Sequence, residues 1–571
     1  MNGAVLLLLG GGFLVGAYVL YGRFIGRVLG VDPGRTTPAH ARRDDVDYVP
    51  THPAILFGHH FASIAGAGPI VGPVLAAQFG WLAVALWIVL GCVFIGAMHD
   101  FSVLFLSVRN QGRSIGTIIE SLMGYWGRIL FLLFCLATLI LVIAQFTLLV
   151  AGTFVSAPAV ATASLLFIVL AVAFGTLVYR KGVGFARASA VFVPLMFGCV
   201  YLGTRWPLDL AAFGFAPEAA HAVWAAVLLA YCFAASVLPV WMLLQPRDYL
   251  NSYLLYAMIA LGVAGIFVAA PEVRLPLFAG WDALNPKSGL RDPVLPMLFV
   301  TIACGACSGF HALVASGTTS KQVASERHLR PVAYGGMLVE GLLALVALVA
   351  VAWMTQGEYA EGLATQSEAT LFARGLAGFS VRLGIPLEAG MVFVSLALAA
   401  FLMTTLDTAT RLARFTWQEL FLPRGGGAPA AREAPALRLA FANRYSATTV
   451  AVAVSAALVF SAGTKGLWPI FASANQLLAA LSLLGVTLWL AREGKNTAVA
   501  FIPMIFMIAM SGLALINLFK QNATAWREGG FGAGGVLTLA TLCLIALAVA
   551  LVAFGSARLL KRHAAVSGPG R

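Results

Sequence analysis

Apolar residues in this chain come in runs of roughly 20 rather than in alternation with polar ones, and short polar links separate the runs. A run of that length forms an α-helix that crosses the hydrocarbon of a bilayer, about 30 Å at about 1.5 Å per residue. The runs fall near 4–22, 53–78, 80–108, 128–152, 159–179, 184–203, 220–244, 251–270, 293–318, 334–354, 385–410, 445–462, 468–491, 498–518 and 535–556. The pattern predicts an all-α polytopic membrane protein with about 15 transmembrane helices. No basic segment precedes the first run, and no clear small-residue cleavage site precedes Tyr21-Gly22-Arg23, so this run is expected to be a retained helix.

Composition excludes the other classes. Of 571 residues, 60% are apolar and 10% charged, too little polar surface to cover the apolar mass in water. A formal charge of +13 on a soluble domain would suggest nucleic acid, but no such domain separates from the runs. The expected partners are lipid and a small-molecule substrate, with no nucleic acid. With the N-terminus placed outside, 27 of the 36 Lys and Arg fall on inner links and 9 on outer ones. This predicts an N-terminus outside and a C-terminus in the cytoplasm. Cys92, Cys135, Cys199, Cys232, Cys304, Cys307 and Cys543 all lie in apolar runs and read as packing residues. The Cys304-x-x-Cys307 pair lacks further ligands for zinc, and neither a metal nor a cofactor is expected.

Two runs carry Gly, Pro and polar residues where a lipid-facing helix is uniform. The second reads from His59 through Ser63, Gly66, Gly68, Pro69 and Gly72 to Pro73; the seventh ends on Ser236, Pro239 and Trp241, followed by Gln245-Pro246-Arg247-Asp248-Tyr249. Proline frees backbone groups, which lipid tolerates only where the backbone is buried in protein or lines a cavity. The two breaks lie five runs apart and cross in opposite directions, which predicts an inverted five-plus-five repeat over residues 53–410. Residues 1–52 then form an extra helix and loop, 411–444 an amphipathic cytoplasmic linker, and 445–571 a four-helix region. Ser63, Gly66, Gly68, Pro69, Gly72, Ser236, Pro239 and Trp241 become candidate substrate residues. The alternative is that the glycines only allow close helix packing.

Four blocks together resemble the carbon starvation protein A family: His59 to Pro73, Leu238-Pro239-Val240-Trp241 with Gln245 to Leu250, Thr404 to Arg414, and Trp468 to Ala480. The resemblance covers nearly the whole chain. It implies an inner-membrane uptake protein for pyruvate or peptides, used in nutrient scavenging during carbon starvation. It also implies the leucine-transporter-like fold of the amino acid, polyamine and organocation superfamily, which agrees with the repeat read from the breaks.

A broken helix offers free amides and a dipole end that suit a carboxylate. His59 and His60 sit just before the first break and are the leading candidates for proton coupling, with a structural role as the alternative. Asp100 and His311 lie inside runs, where ionisable groups are expensive and count as functional candidates. Ser316, Thr318 and Thr319 end the ninth run, which this repeat makes the eighth core helix; in the fold implied by the resemblance that helix supplies hydroxyls to sodium. Gln245, Arg247 and Asp248 are expected at an inner gate, and Asp407 and Arg411 are spaced to pair on one helical face. The expected function is ion-coupled import of pyruvate or small peptides by alternating access, with protons preferred and sodium the rival. A membrane-embedded enzyme finds no support in a nucleophile, base and oxyanion constellation. A solute sensor would want a soluble signalling domain, and none is seen in the loops.

Overall fold

The computed structural model describes residues 1–44, 47–239, 242–287, 289–421, 441–462 and 466–566. Among these, 13 helices are long and apolar enough to cross a membrane: α1 (Gly3–Leu29), α4 (Trp81–Arg109), α6 (Tyr125–Ser156), α7 (Pro158–Val178), α8 (Phe185–Arg205), α9 (Pro217–Val237), α10 (Leu244–Ala269), α14 (Glu326–Ala352), α17 (Leu387–Leu420), α18 (Arg444–Ser461), α19 (Leu467–Arg492), α20 (Ala498–Gly529) and α21 (Gly532–Arg558). A fourteenth span is bent by 47° between α2 (Pro53–Ile64) and α3 (Gly68–Phe79). The fifteenth crosses in three pieces, α11 (Val294–Thr301), α12 (Ala303–Ala306) and α13 (Phe310–Gly317). Leu8, Leu9, Val15, Val169, Ile502 and Val549 stay exposed on the outside of the bundle, as lipid-facing side chains do.

One face of the bundle carries the hairpin of β1 (Asp282–Leu284) and β2 (Arg291–Pro293). The opposite, basic face carries residues 30–44 and 47–52, with Thr51 bridged to Val323. Short helices cap both: α5 (Ile115–Met123) on the basic face, and α15 (Gln356–Thr365) and α16 (Glu368–Ser380) on the hairpin face.

The inverted repeat is written in the packing. One unit is α2/α3, α4, α6, α9 and α10; the other is α11–α13, α14, α17, α18 and α19. The long helices α6 and α17 pack on each other at the centre, α6 on α9 as α17 on α18, and α6 on α19 as α17 on α10. The half-helix α2 leans on α10 as α12 leans on α19, and the peripheral α5 answers α15 and α16. The units start on opposite faces. The α7–α8 hairpin is inserted in the first unit and has no counterpart among the described residues of the second.

Three expectations need correction. The second break lies at residues 302–309 and not at 236–249: α9 runs unbroken to Val237, and α10 starts at Leu244. Pro246 is tolerated in the first turn of α10, where an amide donor is not needed. The core therefore extends past residue 410 to Arg492. The ninth span is accordingly the sixth core element, and α17 is the eighth. Residues 411–420 continue α17 and are not a separate linker, while residues 422–440 lie outside the described residues.

Candidate functional site

The two broken spans cross. Ile64 ends α2, Ala65 takes a non-helical conformation, and α3 restarts at Gly68. The other span is irregular at Ile302 (φ −88°, ψ 57°) and extended at Cys307 (φ −164°, ψ 135°). Asn475 of α19 holds the restart of α13: its Oδ1 accepts from the Phe310 amide at 2.9 Å, and its carbonyl accepts from the Gly309 amide at 2.9 Å. Freed backbone is thus satisfied inside the protein.

Gly68, Pro69 and Gly72 make this crossing tight. A methyl added at Gly72 would lie 2.8 Å from the Thr301 carbonyl, one at Gly68 would run into Cys304, and Pro69 backs onto Gly305. All three thus lie in close contact with the second broken span. Gly66 differs: the same added methyl would lie 2.8 Å from Thr405 Oγ1, a buried hydroxyl with no hydrogen-bond partner, and 3.2 Å from the Phe146 ring. Gly68→Ala is therefore expected to destabilise the fold and Cys304→Gly to relieve it, with a coupling of about 1–3 kcal/mol in a double-mutant cycle read by thermal unfolding in detergent.

Beside the crossing lies an array of buried ionisable groups. His99 Nδ1 is 2.8 Å from Asp100 Oδ1, His311 Nδ1 is 2.8 Å from Asp100 Oδ2, and His311 Nε2 is 3.3 Å from Glu340 Oε2. All four side chains are 0% exposed. The chain puts them there through a π-turn at Cys92–Gly96 in α4, which widens the helix just before His99 and Asp100 and brings Gly96 against the Ala306 carbonyl. Glu340 was not singled out from the sequence, although it is a carboxylate in the middle of an apolar run. His60 lies next to the array and is 2.9 Å through Nδ1 from Thr319 Oγ1.

Toward the basic face the bundle opens into a cavity of about 890 Å³. Its lining includes Ile55 and His59 of α2, Pro239, Gln245 and Tyr249, Gln322, and Arg411 and Arg414 of α17. Arg411 donates to the carbonyls of Ala235 and Leu238 at 2.8 Å each, and Arg414 to that of Ser236 at 2.6 Å. Both guanidiniums so cap the C-terminal end of α9, and neither has a carboxylate within 4 Å among the described residues. The expected Asp407–Arg411 pair is replaced by a tertiary one: Asp407 is 2.5 Å from Arg247 and accepts from Tyr231 Oη at 2.8 Å. Asp248 is buried with His59 Nδ1 3.7 Å away. On the hairpin face α15 is tied to α3. Tyr359 of α15 donates to the carbonyls of Val74 at 2.7 Å and Leu75 at 3.1 Å, at the end of α3.

Other candidates are engaged elsewhere. Ser63 Oγ donates to the His59 carbonyl, and Ser236 Oγ meets Thr448 Oγ1 at 3.2 Å, between α9 and α18. Ser316 and Thr318 donate to carbonyls one turn back in the chain, and Ser316 also accepts from the Ile115 amide. Trp241 lies outside the described residues.

The family described as carbon starvation protein CstA matches this chain over residues 2–369 and 360–514. A peptide transporter CstA of Campylobacter jejuni is 34% identical over 595 residues, covering 93% of this chain and 82% of its own length. The peptide transporter CstA of Bacillus subtilis is 33% identical, covering 95% of each. The pyruvate/proton symporter BtsT of Escherichia coli is 31% identical, covering 89% of this chain and 80% of its own length. Among solved structures, a manganese transporter of Eremococcus coleocola is a distant likeness, with 12% identity, 91% and 98% coverage and a TM-score of 0.47. MhsT in complex with L-phenylalanine is another, with 14% identity, 87% and 99% coverage and a TM-score of 0.45.

Proposed function

The chain belongs to the carbon starvation protein CstA family and is a membrane transporter, and on that premise we propose that it imports a small carboxylate, pyruvate or a short peptide, by proton-coupled alternating access. The observation that carries this reading is the 890 Å³ cavity, open toward the basic face and lined by Arg411 and Arg414, while on the hairpin face Tyr359 ties α15 to the end of α3. A pocket lined by Arg180, Arg411, Arg414 and Arg444 against one carboxylate, Asp47, concentrates an anion, and a carboxylate suits the planar fork of Arg. The arrangement is an inward-facing state: the Lys and Arg excess puts the basic face in the cytoplasm of a bacterial cell, with the N-terminus in the periplasm. The family names cover both cargoes, and a cavity of this size admits either. The side chains here transport and do not transform: they bind, shield and release the cargo.

Protons are the favoured coupling ion because five buried ionisable side chains, His60, His99, Asp100, His311 and Glu340, surround the crossing. Sodium is the rival, since the Thr405 hydroxyl is an unpartnered oxygen facing Gly66 at the first break. Proteoliposomes given labelled pyruvate or labelled trialanine, with either an inward proton gradient or an inward sodium gradient, separate the four cases. The expected result is accumulation of one cargo with protons alone, abolished by an uncoupler. Accumulation with sodium alone sinks the proton reading, and accumulation of neither cargo sinks the substrate class. Arg414→Gln is expected to weaken cargo binding from the basic face about tenfold, the worth of one charge-assisted hydrogen bond. Arg414→Lys, which keeps the charge, is expected to retain most of it; equal loss in both variants would assign Arg414 to the cap of α9 alone.

A further inference from the structure

We propose that Asp100, His311 and Glu340 together are the proton-binding site of the transport cycle, and that Glu340 is the group that takes up and releases the proton. This rests on the reading of the chain as a proton-coupled transporter, and goes beyond it by naming the carrier. The argument is one of hydrogen-bond roles and charge. An ionised carboxylate only accepts, so Asp100 takes an N–H from Nδ1 of His99 on one oxygen and from Nδ1 of His311 on the other. Each of its oxygens already holds one such bond. The His311 ring then turns Nε2 toward Glu340 Oε2 at 3.3 Å, and neither oxygen of Glu340 has a hydrogen bond of good geometry. Two carboxylates around one imidazolium leave a net charge of −1, and one further proton makes the set neutral. An unbalanced charge this deep in a membrane protein costs several kcal/mol, so the closed array holds that proton. It goes to Glu340, the only carboxylate of the pair whose oxygens are free to carry it.

The three groups sit on three elements that belong to both halves of the repeat: Asp100 on α4, His311 on α13 and Glu340 on α14. Because α13 is the second half of a broken span, any tilt of that span moves His311 against the other two, so opening the pathway and opening the array are one event. The remaining titratable groups that face the array are His60 from α2, Cys92 and His99 from α4, and Cys304 and Cys307 from the second broken span. His60, bonded to Thr319 near the Thr51–Val323 bridge, connects it toward the basic face.

The test compares wild type with Glu340→Gln and Glu340→Asp in proteoliposomes and in detergent. Glu340→Gln mimics the neutral array, so pyruvate/pyruvate exchange should stay within about twofold of wild type while proton-driven accumulation falls about tenfold or more. Glu340→Asp keeps a titrating carboxyl and should restore proton movement with the cargo. Infrared difference spectra between acid and alkaline buffer, taken without cargo, should show a buried carboxylic-acid C=O band that is missing in Glu340→Gln. An unchanged band in Glu340→Gln, or proton movement per cargo equal to wild type in that variant, overturns the proposal. Loss of exchange in Glu340→Gln and Glu340→Asp alike also overturns it, since Glu340 would then only hold the fold. If wild type moves neither pyruvate nor trialanine yet the band vanishes in Glu340→Gln, the proton site stands and the cargo reading falls.

Discussion

Asp407→Ala is expected to destabilise the protein by about 3–5 kcal/mol, the cost of leaving a buried charge without its partner. Arg247 is 1% exposed and Asp407 0%, and they join α10 of one unit to α17 of the other at 2.5 Å. Tyr231 of α9 hydrogen-bonds to both, so three core helices meet at one point. Arg247 already has Nε and one terminal nitrogen unpartnered, and without Asp407 it keeps only the more distant buried carboxylate of Asp248. The double variant Arg247→Met with Asp407→Leu removes both charges and should recover most of the loss, because an apolar pair of similar volume replaces a buried ion pair at little cost. Thermal unfolding of the purified protein in detergent measures both. Equal stability of Asp407→Ala and the double variant would show that the pair is not the clamp described here.

Gly309→Ala should do comparable damage for a different reason. The Gly309 amide donates to the Asn475 carbonyl at 2.9 Å, and an added methyl would run into that carbonyl, the Ala479 amide and the Leu478 Cβ. Two of the three are backbone of α19, which cannot swing aside as a side chain does. Overpacking of about 1–3 kcal/mol adds to about 1 kcal/mol from the strained hydrogen bond. The restart of α13 then moves, and His311 with it, so transport should fall about tenfold or more even at temperatures where the variant stays folded. Unlike Gly68→Ala, which Cys304→Gly can relieve, no side-chain truncation should rescue it. Uptake and unfolding measured on one preparation separate the two effects, and wild-type uptake in a folded Gly309→Ala would detach the second break from the transport cycle.

The membrane spans and the first break are legible because their signals are local. Hydropathy marks the runs, and Gly66, Gly68 and Pro69 announce a helix that cannot continue. The second break is not legible in the same way. Cys304-Gly305-Ala306-Cys307-Ser308-Gly309 contains no proline and reads as an ordinary run of small residues, and what opens it is tertiary: Asn475, 165 residues from Phe310, supplies the bonds that the interrupted helix lacks. Pro239 gives the opposite lesson, since it ends a complete helix and breaks none. A second break at Pro239 would end the repeat two helices early and put the eighth core position on the ninth span instead of α17. Spacing suggested Arg411 as the partner of Asp407, but the ion pair is made across helices with Arg247, where sequence separation carries no information. Glu340 was readable from depth alone, and only its place beside His311 shows what it joins.

Alternating access at the two broken spans is the central claim, and the accessibility of Ile55 tests it most directly. Ile55 lies on α2, lines the cavity and is 46% exposed. Cys543 is the one exposed native cysteine among seven, so Ile55→Cys in a Cys543→Ser background gives a single accessible thiol. Labelling with a membrane-impermeant maleimide from the basic side should be fast in the resting protein, and should slow when pyruvate or trialanine with an imposed proton gradient turns the cavity toward the hairpin face. A labelling rate that neither cargo changes, in protein shown to transport, would contradict an inward cavity that closes during the cycle.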